Sequence, residues 1–359
     1  MASTHPILSM RQDKYPVALL INDIHVGKDN ISEFHKNWNE ALEIASKMKI
    51  EDIVIGGDLW QARSGQNLDT LLAVRSAIKK TQEAGIYLTI AEGNHDLVDQ
   101  EALLGYSHIF DGYDKVNVIG EYDVIEFAAD VDLYIMSYFP ENGTFIERLA
   151  RIVEENKIKT SETCNILYVH QGIRGGLGQA TEDELPTSIF QDFDAVLVGH
   201  YHDRKLIPGT NIEYIGSSRQ HNFGEDEEKG YTILYSDGST EFIKNEVNTR
   251  YKVIEVDYNH VDADFLDMIS QLSEDPRYKL KVKVKCDQAD AANVSKEKML
   301  EAGAVKVEVV KEAVEVVKTS SQNLEQKFDK LGIKHEYENF CSDKAISPKM
   351  GMKYLDLIS

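Results

Sequence analysis

The chain has 359 residues, of which 42% are hydrophobic and 28% are charged. That length suggests two or three domains of roughly 100–200 residues each, and the apolar fraction excludes a globally disordered chain and collagen-like repeats. The formal net charge of −22, from 39 Lys and Arg against 61 Asp and Glu, disfavours a surface that binds nucleic acid throughout, because phosphate contacts require Lys and Arg.

Membrane-spanning and secretory classes are also disfavoured. No apolar run approaches the ~18–20 residues that span a bilayer, and the N-terminal stretch lacks the basic and apolar regions of a secretory signal. Cys164, Cys286 and Cys341 are odd in number and far apart, which argues against a disulfide framework and fits a reducing cytosol. We therefore expect a cytoplasmic protein in which residues 1–15 form a flexible leader.

Between residue 16 and residue 250, short apolar runs alternate with amphipathic stretches. The runs are rich in β-branched and aromatic residues and are bounded by Gly, Asn or Asp, which is typical of buried strands. This alternation predicts a layered α/β domain over 16–250, with sheet inside and helices outside. The predicted strands are Val17–Ile21, Ile53–Ile55, Tyr87–Ile90, Leu133–Ser137, Ile166–Val169, Ala195–Val198, Ile212–Ile215, Tyr231–Tyr235 and Thr240–Lys244. The predicted helices are Glu33–Lys49, Leu68–Ala84 and Phe145–Asn156.

A second unit follows, and we expect a small α+β domain over 251–318. Its strands alternate apolar with polar residues, which predicts a sheet with one solvated face. The predicted elements are strands Tyr251–Asp257, Tyr278–Lys285 and Val305–Val310, with helices Ala263–Leu272 and Ser295–Ala302. The second strand carries a row of lysines that could lie on phosphates or simply face solvent: Lys279, Lys281, Lys283 and Lys285. Residues 319–359 carry an amphipathic stripe (Leu324, Phe328 and Leu331) that predicts a helical C-terminal segment.

Side chains that can bind metals cluster directly after five of the predicted strands. In α/β sheets, loops at the carboxyl ends of strands converge, so we expect these side chains to meet. They are Asp23, His25, Asp58, Asn94, His170, His200 and His202. Carboxylate oxygen mixed with imidazole nitrogen suits Mn²⁺, Fe or Zn²⁺ better than Ca²⁺ or Mg²⁺. Seven ligands are too many for one catalytic ion with open positions, but they suit two ions that share a bridging carboxylate.

His95 follows Asn94 directly, so it cannot easily share the same ion and is better placed to meet a substrate as an acid or a charge stabiliser. Each cluster taken alone has a structural explanation. An Asp after two Gly residues, as at Asp58, is commonly a turn residue or a helix N-cap, and a lone histidine such as His170 is more often a core residue. All five clusters in this order, each closing a predicted strand, favour a functional centre.

This constellation resembles the signature of the calcineurin-like metallophosphoesterase superfamily, D-x-H, G-D, G-N-H-D, a lone H and G-H-x-H, over roughly residues 16–230. The resemblance implies a layered core, a central β-sandwich flanked by helices, with a small α+β capping domain and a helical C-terminal tail. It implies a first metal held by Asp23, His25, Asp58 and His202, and a second held by Asp58, Asn94, His170 and His200. His95 would stabilise the transition state or protonate the leaving oxygen, and Asp96 would orient His95. Mn²⁺ is the expected ion, with Mg²⁺, Fe²⁺ and Zn²⁺ as alternatives.

Two further stretches resemble the SbcD-type nucleases of double-strand-break repair, which occur in cells and, as recombination endonuclease subunits, in phages. They are Tyr214-Ile215-Gly216-Ser217-Ser218, continuing through Phe223-Gly224-Glu225 to Lys229-Gly230, and Gly57-Asp58-Leu59-Trp60 with Arg63. The resemblance implies a two-metal DNA exo- or endonuclease in DNA end processing, repair or recombination. It also implies a homodimer, for which the apolar stripe of Leu68–Ile78 is a candidate, although a core-facing helix explains that stripe equally well.

No P-loop motif G-x-x-x-x-G-K-[ST] occurs in the sequence, so any ATP dependence is expected to come from a second protein. By the same resemblance this partner is an SbcC-type coiled-coil ATPase docked on 319–359. Two alternatives stay open: a metallophosphoesterase for small nucleotides or phosphoproteins, and a non-catalytic, metal-stabilised scaffold subunit.

Overall fold

Two six-stranded sheets form the main body of the protein. The computed structural model describes residues 14–127, 130–177 and 184–311, together with residues 337, 340, 341, 347, 348 and 352. The strands of the first half are β1 (Pro16–Ile21), β2 (Asp52–Gly56), β3 (Tyr87–Ala91), β4 (Val116–Ile119), β5 (Tyr122–Glu126) and β6 (Val131–Met136). Those that follow are β7 (Cys164–His170), β8 (Ala195–Gly199), β9 (Lys205–Leu206), β10 (Ile212–Tyr214), β11 (Gly230–Tyr235) and β12 (Thr240–Lys244).

The first sheet has the strand order β12-β11-β1-β2-β3-β4, and the second has the order β5-β6-β7-β8-β10-β9. Strands β1 to β4 run parallel in the first sheet, and β6, β7, β8 and β10 run parallel in the second. The remaining strands pair antiparallel at the sides. Because parallel strands share one direction, all their carboxyl ends in a sheet lie at the same edge.

Alternation along β1 shows how the layers are built. Leu19 and Ile21 point to a core under the helices, whereas Ala18 and Leu20 point to a core shared by the two sheets. The shared core takes residues from both sheets, including Val54, Leu133, Ile135, Ile166 and Leu197. A third core lies on the far face of the second sheet. The predicted β-sandwich flanked by helices is therefore confirmed.

Three helices cover the outer faces of the sandwich: α1 (Ile31–Met48), α2 (Leu68–Glu83) and α3 (Phe145–Glu155). The α2 helix begins where the Asn67 side chain accepts a hydrogen bond from the backbone N–H of Thr70, 3.0 Å away. Ala73, Val74, Ala77 and Ile78 of α2 are buried in the first core. Most of the predicted dimer stripe therefore packs inside this chain.

A small three-stranded sheet follows, in the order β13-β14-β15. Its elements are β13 (Arg250–Asp257), α4 (Ala263–Ser273), β14 (Tyr278–Cys286), α5 (Lys296–Glu301) and β15 (Ala304–Lys311). Leu280 and Val282 of β14 are fully buried, while Lys281 and Lys283 on its other face pair with Glu308 and Glu255. The alternation along β14 thus agrees with the predicted sheet that has one buried and one solvated face.

The chain divides into two compact units. The first extends to Lys283 and includes Ser295–Glu308, and the second comprises Val284–Val294 and the chain from Val309 onward. The domain limits 16–250 and 251–318 stay predictions. The predicted leader and the predicted segment 319–359 fall almost wholly outside the described residues. No helix in the described part of the chain is long and apolar enough to cross a membrane.

Candidate metal centre

The seven predicted ligands lie together where the carboxyl edges of the two sheets meet. The two edges are in direct contact, since the His170 ring at the end of β7 donates through Nδ1 to the carbonyl of Gly56 at the end of β2, 3.1 Å away. All seven side chains are buried or half-buried. The expected convergence of Asp23, His25, Asp58, Asn94, His170, His200 and His202 is what the structure shows.

Four of these residues have strained backbones. Asp23, His25, Asp58 and His200 have φ values of 50°, 48°, 52° and 89°, in the left-handed region that non-Gly residues rarely adopt. Backbone hydrogen bonds hold the first two in place, from Asp23 N to Gly57 O (3.1 Å) and from His25 N to Asp58 O (3.0 Å). Strain of this kind persists only where the surrounding structure enforces it, and it is concentrated at functional sites.

One group of ligand atoms surrounds Asp23. The Nε2 atoms of His25 and His202 lie 3.2 Å apart, and they lie 3.9 Å and 3.8 Å from Asp23 Oδ1. Asp23 also accepts a hydrogen bond at Oδ2 from the backbone N–H of His200, 3.0 Å away. Two imidazole nitrogens and a carboxylate oxygen at these spacings could bind one ion between them.

The other group surrounds Asn94. His170 Nε2 and His200 Nδ1 each lie 3.2 Å from Asn94 Oδ1. Asp58 joins the two groups, because its Oδ2 lies 3.5 Å from His25 Nε2 and 3.3 Å from His170 Nε2. This position between the groups is the one expected of a bridging carboxylate.

The chemistry of this pocket fits divalent cations. Its donors are imidazole nitrogen, carboxylate oxygen and amide oxygen. Three sets of three His and Asp residues keep their ligand atoms within 4.8 Å of one another: Asp23, His25 and His202; Asp23, Asp58 and His170; and His25, Asp58 and His95. Burial lowers the pKa of His25 to about 4, which favours the neutral imidazole that binds metals. Burial would also lower the pKa of His170, but the charges of Asp58 and Asp23 raise it to about 10. The buried carboxylates thus stabilise positive charge in the pocket.

Asp58 itself stays ionised. Burial would raise the pKa of its carboxyl, but the neighbouring imidazoles, His170 first, lower the pKa far below its ordinary value. Its Oδ1 accepts a hydrogen bond from the backbone N–H of His95, 2.8 Å away. The left-handed turn that presents Asp58 also depends on Gly57, whose φ is +103°.

His95 is half-buried and lines the groove above the ligands. Its Nδ1 donates to the backbone carbonyl of Gln61, 2.9 Å away, and its ring meets the His25 ring edge-on with centroids 4.8 Å apart. With Nδ1 committed to Gln61, Nε2 is the ring nitrogen that can exchange a proton. The role of Gln61 was not predictable from the sequence, because a backbone carbonyl leaves no residue-type signal.

Asp96 is fully buried and acts on the backbone. Its carboxylate accepts hydrogen bonds from the N–H groups of Trp60 (2.8 Å), Leu59 (3.3 Å) and Gly93 (2.7 Å). These contacts tie the loop after β2 to the loop after β3, and it is Gln61 whose carbonyl accepts from His95 Nδ1. The contact to the His95 ring nitrogen thus comes from Gln61, and the role of Asp96 in orienting His95 stays a prediction.

A groove of about 560 Å³ opens over the ligands. Besides His25, Asp58, Asn94, His95, His200 and His202, it is lined by Arg63, Arg219, His221, Tyr251 and Lys279. The Nη2 of Arg219 donates to the carbonyls of Ile24 and His25, and Lys279 Nζ lies 5.2 Å from the centre of the Tyr251 ring. The sequence motifs did not assign Arg219 a role, although it follows Ser218 in the segment noted above.

Comparison with known proteins agrees with this geometry. A family model described as calcineurin-like phosphoesterase matches residues 17–204. The chain is 25% identical over 213 residues to the DNA double-strand break repair protein Mre11 of Sulfurisphaera tokodaii, covering 55% of this chain and 53% of that protein. It is 27% identical over 224 residues to the SbcD component of the nuclease SbcCD of Staphylococcus saprophyticus, covering 52% of this chain and 56% of that one.

A viral protein matches over a longer stretch. The putative phosphoesterase 078R of Invertebrate iridescent virus 3 is 23% identical over 280 residues, covering 76% of this chain and 77% of that protein. The chain thus spans about half the length of the two nuclease relatives and about three quarters of the viral one.

Replacing Gly57 by Ala should disturb both stability and metal binding. A Cβ at Gly57 would lie 2.5 Å from His170 Nδ1 and 2.9 Å from Gly93 Cα. Gly209 is a matched control, since its φ is +76° and a Cβ there would meet nothing within 4 Å. We expect Gly209→Ala to cost about 1–2 kcal/mol of unfolding free energy from backbone strain alone. Gly57→Ala should cost more and weaken Mn²⁺ binding, as measured by urea unfolding and calorimetric titration. Equal losses in the two variants would contradict the close packing of Gly57 on His170.

Proposed function

This chain belongs to the calcineurin-like phosphoesterase family, and we propose that within it the chain is a two-metal DNA nuclease, acting as an exonuclease or endonuclease in DNA end processing, repair or recombination. The observation that carries the proposal is the convergence of seven ligand side chains with Asp58 between the two groups. The Mre11 and SbcD relatives support DNA as the substrate. We propose Mn²⁺ as the ion, because mixed imidazole and carboxylate ligands without thiolate suit it.

The proposed metal ligands and His95 have different roles in phosphodiester hydrolysis. The two groups of side chains around Asp23 and Asn94 would hold a pair of divalent cations, which when bound would supply charge to neutralise the phosphate and to acidify an attacking water. Asp58, with one oxygen near His25 and His170, fixes the spacing of the two ligand groups. His95 is held by its Nδ1–H, which donates to the Gln61 carbonyl. When the ring also carries a proton on Nε2, that proton passes to the departing sugar oxygen and leaves a neutral imidazole.

Positively charged side chains line the groove, although the chain as a whole is acidic. Despite a net charge of −22, Arg63, Arg219 and Lys279 all line the groove over the ligands. Of the predicted lysine row, Lys279 lines the groove, and we assign it to the DNA backbone. Lys281 and Lys283 pair with Glu308 and Glu255. Local positive charge of this kind supports binding of a polyanion at one place on an acidic protein.

A metallophosphoesterase for small nucleotides or phosphoproteins is the second candidate. The viral putative phosphoesterase covers more of this chain than either nuclease relative does, which favours a function shared with it. The non-catalytic scaffold is the weaker alternative, because a scaffold requires neither the full ligand set nor His95 at the groove. Assays of duplex cleavage and of small-diester hydrolysis together separate all three.

Two macromolecular partners complete the proposal. We infer an SbcC-type coiled-coil ATPase, since the relative from S. saprophyticus is one component of a nuclease named SbcCD.

A homodimer is also proposed, in which Leu68 and Leu72 of α2, 67% and 48% exposed, belong to the interface. Light scattering after size exclusion tests the dimer, and a strictly monomeric chain at micromolar concentration would contradict it.

Nuclease activity and the role of His95 are tested together on a labelled DNA duplex with hairpin or protein-blocked ends. We expect cleavage with Mn²⁺ and none with EDTA. His95→Ala should keep its fold and its Mn²⁺ but lose activity by about 10²–10⁴-fold, because a positioned proton donor contributes that much. His260→Ala, at a histidine whose side chain is 76% exposed in the small α+β region, should match wild type.

The outcomes separate the candidates. A wild-type chain that hydrolyses small nucleotide diesters but leaves the duplex intact would favour the second candidate. A chain that binds Mn²⁺ and hydrolyses neither would leave the scaffold. Full activity in His95→Ala would refute the proton-donor role while leaving the nuclease assignment in place.

The DNA contact of Lys279 is tested by the salt dependence of binding. Neutralising a lysine that touches a phosphate removes about one unit from the slope of log K against log salt. We expect this change in Lys279→Gln and no change in Lys281→Gln, the matched control on the same strand face. Fluorescence anisotropy with a labelled duplex in EDTA, which prevents cleavage, gives both slopes. A wild-type slope in Lys279→Gln would contradict the assignment.

A further inference from the structure

We propose that Glu225 is a positioning residue that fixes the ring orientation and the tautomer of His202. His202 belongs to the first ligand group, the one around Asp23 that also contains His25. The inference rests on the proposed two-metal function. Glu225 lies outside the predicted ligand set, in the Phe223-Gly224-Glu225 part of the segment after the last histidine cluster.

The two nitrogens of His202 face different partners. Its Nε2 lies 3.2 Å from His25 Nε2 and 3.8 Å from Asp23 Oδ1, on the side of the ligand group. Its Nδ1 lies 2.8 Å from Glu225 Oε1. A carboxylate at that distance accepts the Nδ1 proton, so the Nε2 lone pair points at the position of the ion and the imidazole becomes a stronger ligand.

Glu225 is itself held on both oxygens. Its Oε1 also accepts from Asn222 Nδ2 (2.7 Å), and its Oε2 accepts from the backbone N–H of His221 (2.9 Å). The Gln220 side chain donates to the Glu225 backbone carbonyl at 2.8 Å, and the Glu225 side chain is only 8% exposed. The carboxylate therefore meets His202 in a fixed geometry and loses little freedom when the ion binds.

The loop that carries Glu225 is anchored next to His202. Lys229 is fully buried, and its Nζ donates to Asp226 Oδ1 at 2.9 Å and to Asp203 Oδ1. The backbone N–H of Asp226 also donates to Asp203 Oδ1, 3.2 Å away. Because Asp203 directly follows His202, these bonds couple the position of the loop to that of the ligand.

His221 extends the same support to the other members of the group. Its Nε2 donates to the backbone carbonyl of Asp23 at 2.9 Å, where Asp23 has its strained φ of 50°. Its ring lies 5.1 Å from the His25 ring and 4.7 Å from the His202 ring, centre to centre. His221 and Glu225 thus contact all three residues of the group around Asp23, which are Asp23, His25 and His202.

The second group is supported differently. His170 donates its Nδ1 proton to a backbone carbonyl, that of Gly56. A carbonyl also sets the tautomer but carries no net charge, so it strengthens the imidazole less than a carboxylate does. Removing the Glu225 carboxylate should therefore weaken the binding of one of the two ions and leave the binding of the other unchanged.

The test is a calorimetric Mn²⁺ titration of the full chain in three variants. Wild type should bind two Mn²⁺. Glu225→Leu should lower the affinity for one of the two ions by about 10–100-fold and leave the affinity for the other unchanged. Loss of a ligand's hydrogen-bond partner typically has an effect of this size on metal affinity. Glu225→Gln, which keeps an acceptor for Nδ1, should restore most of that affinity. Glu228→Gln is the matched control, since Glu228 lies in the same loop but pairs with Lys244.

The outcomes are separable. Wild-type chain that binds no Mn²⁺ would overturn the proposed function and this inference together. Two ions bound equally well by wild type and Glu225→Leu would overturn this inference alone. If circular dichroism shows Glu225→Leu to be unfolded, Glu225→Asp replaces it, because a side chain shorter by one methylene withdraws the charge from Nδ1. Wild-type affinity in a folded Glu225→Asp chain would then be the contradicting result.

Discussion

The candidate site depends on how one buried carboxylate is held. Asp58 places Oδ2 within 3.5 Å of imidazoles from both sheets, while its Oδ1 accepts a hydrogen bond from the backbone of His95. Its φ of 52° costs about 1–3 kcal/mol, which the surrounding packing must offset. Gly57 makes that turn sterically possible beside His170. The spacing of the two groups of side chains and the placement of His95 both follow from this arrangement.

The fold was predictable from the sequence where burial is complete. The central strands β1, β2, β3, β7 and β8 are continuous apolar runs, and each was predicted to within a few residues. The strands missing from the prediction, β4, β5 and β9, lie at the edges of their sheets. These three strands are short and partly exposed, so neither periodicity nor hydrophobicity marks them, whereas the edge strand β12 was predicted at its observed bounds. The division into two sheets came from the family resemblance, because apolar runs do not state which strands pair.

The convergence of the seven proposed ligands was predictable for a different reason. Each ligand follows a recognisable strand, so the parallel topology brings the ligands of each sheet to one edge. The packing of the two sheets then brings the two edges together. The supporting residues were not predictable, because their roles depend on tertiary geometry. Gln61 acts through a backbone carbonyl, Asp96 through three backbone N–H groups, and Glu225 through one nitrogen of His202. Spacing in the sequence contains no information about such contacts.

Anomalous diffraction from crystals soaked in Mn²⁺ tests the central claim most directly. We expect two peaks about 3.5–4 Å apart on either side of the Asp58 carboxylate. One should lie beside His25 and His202, and the other beside His170 and His200. The absence of any peak next to Asp58, or peaks confined to separate surfaces of the protein, would contradict it.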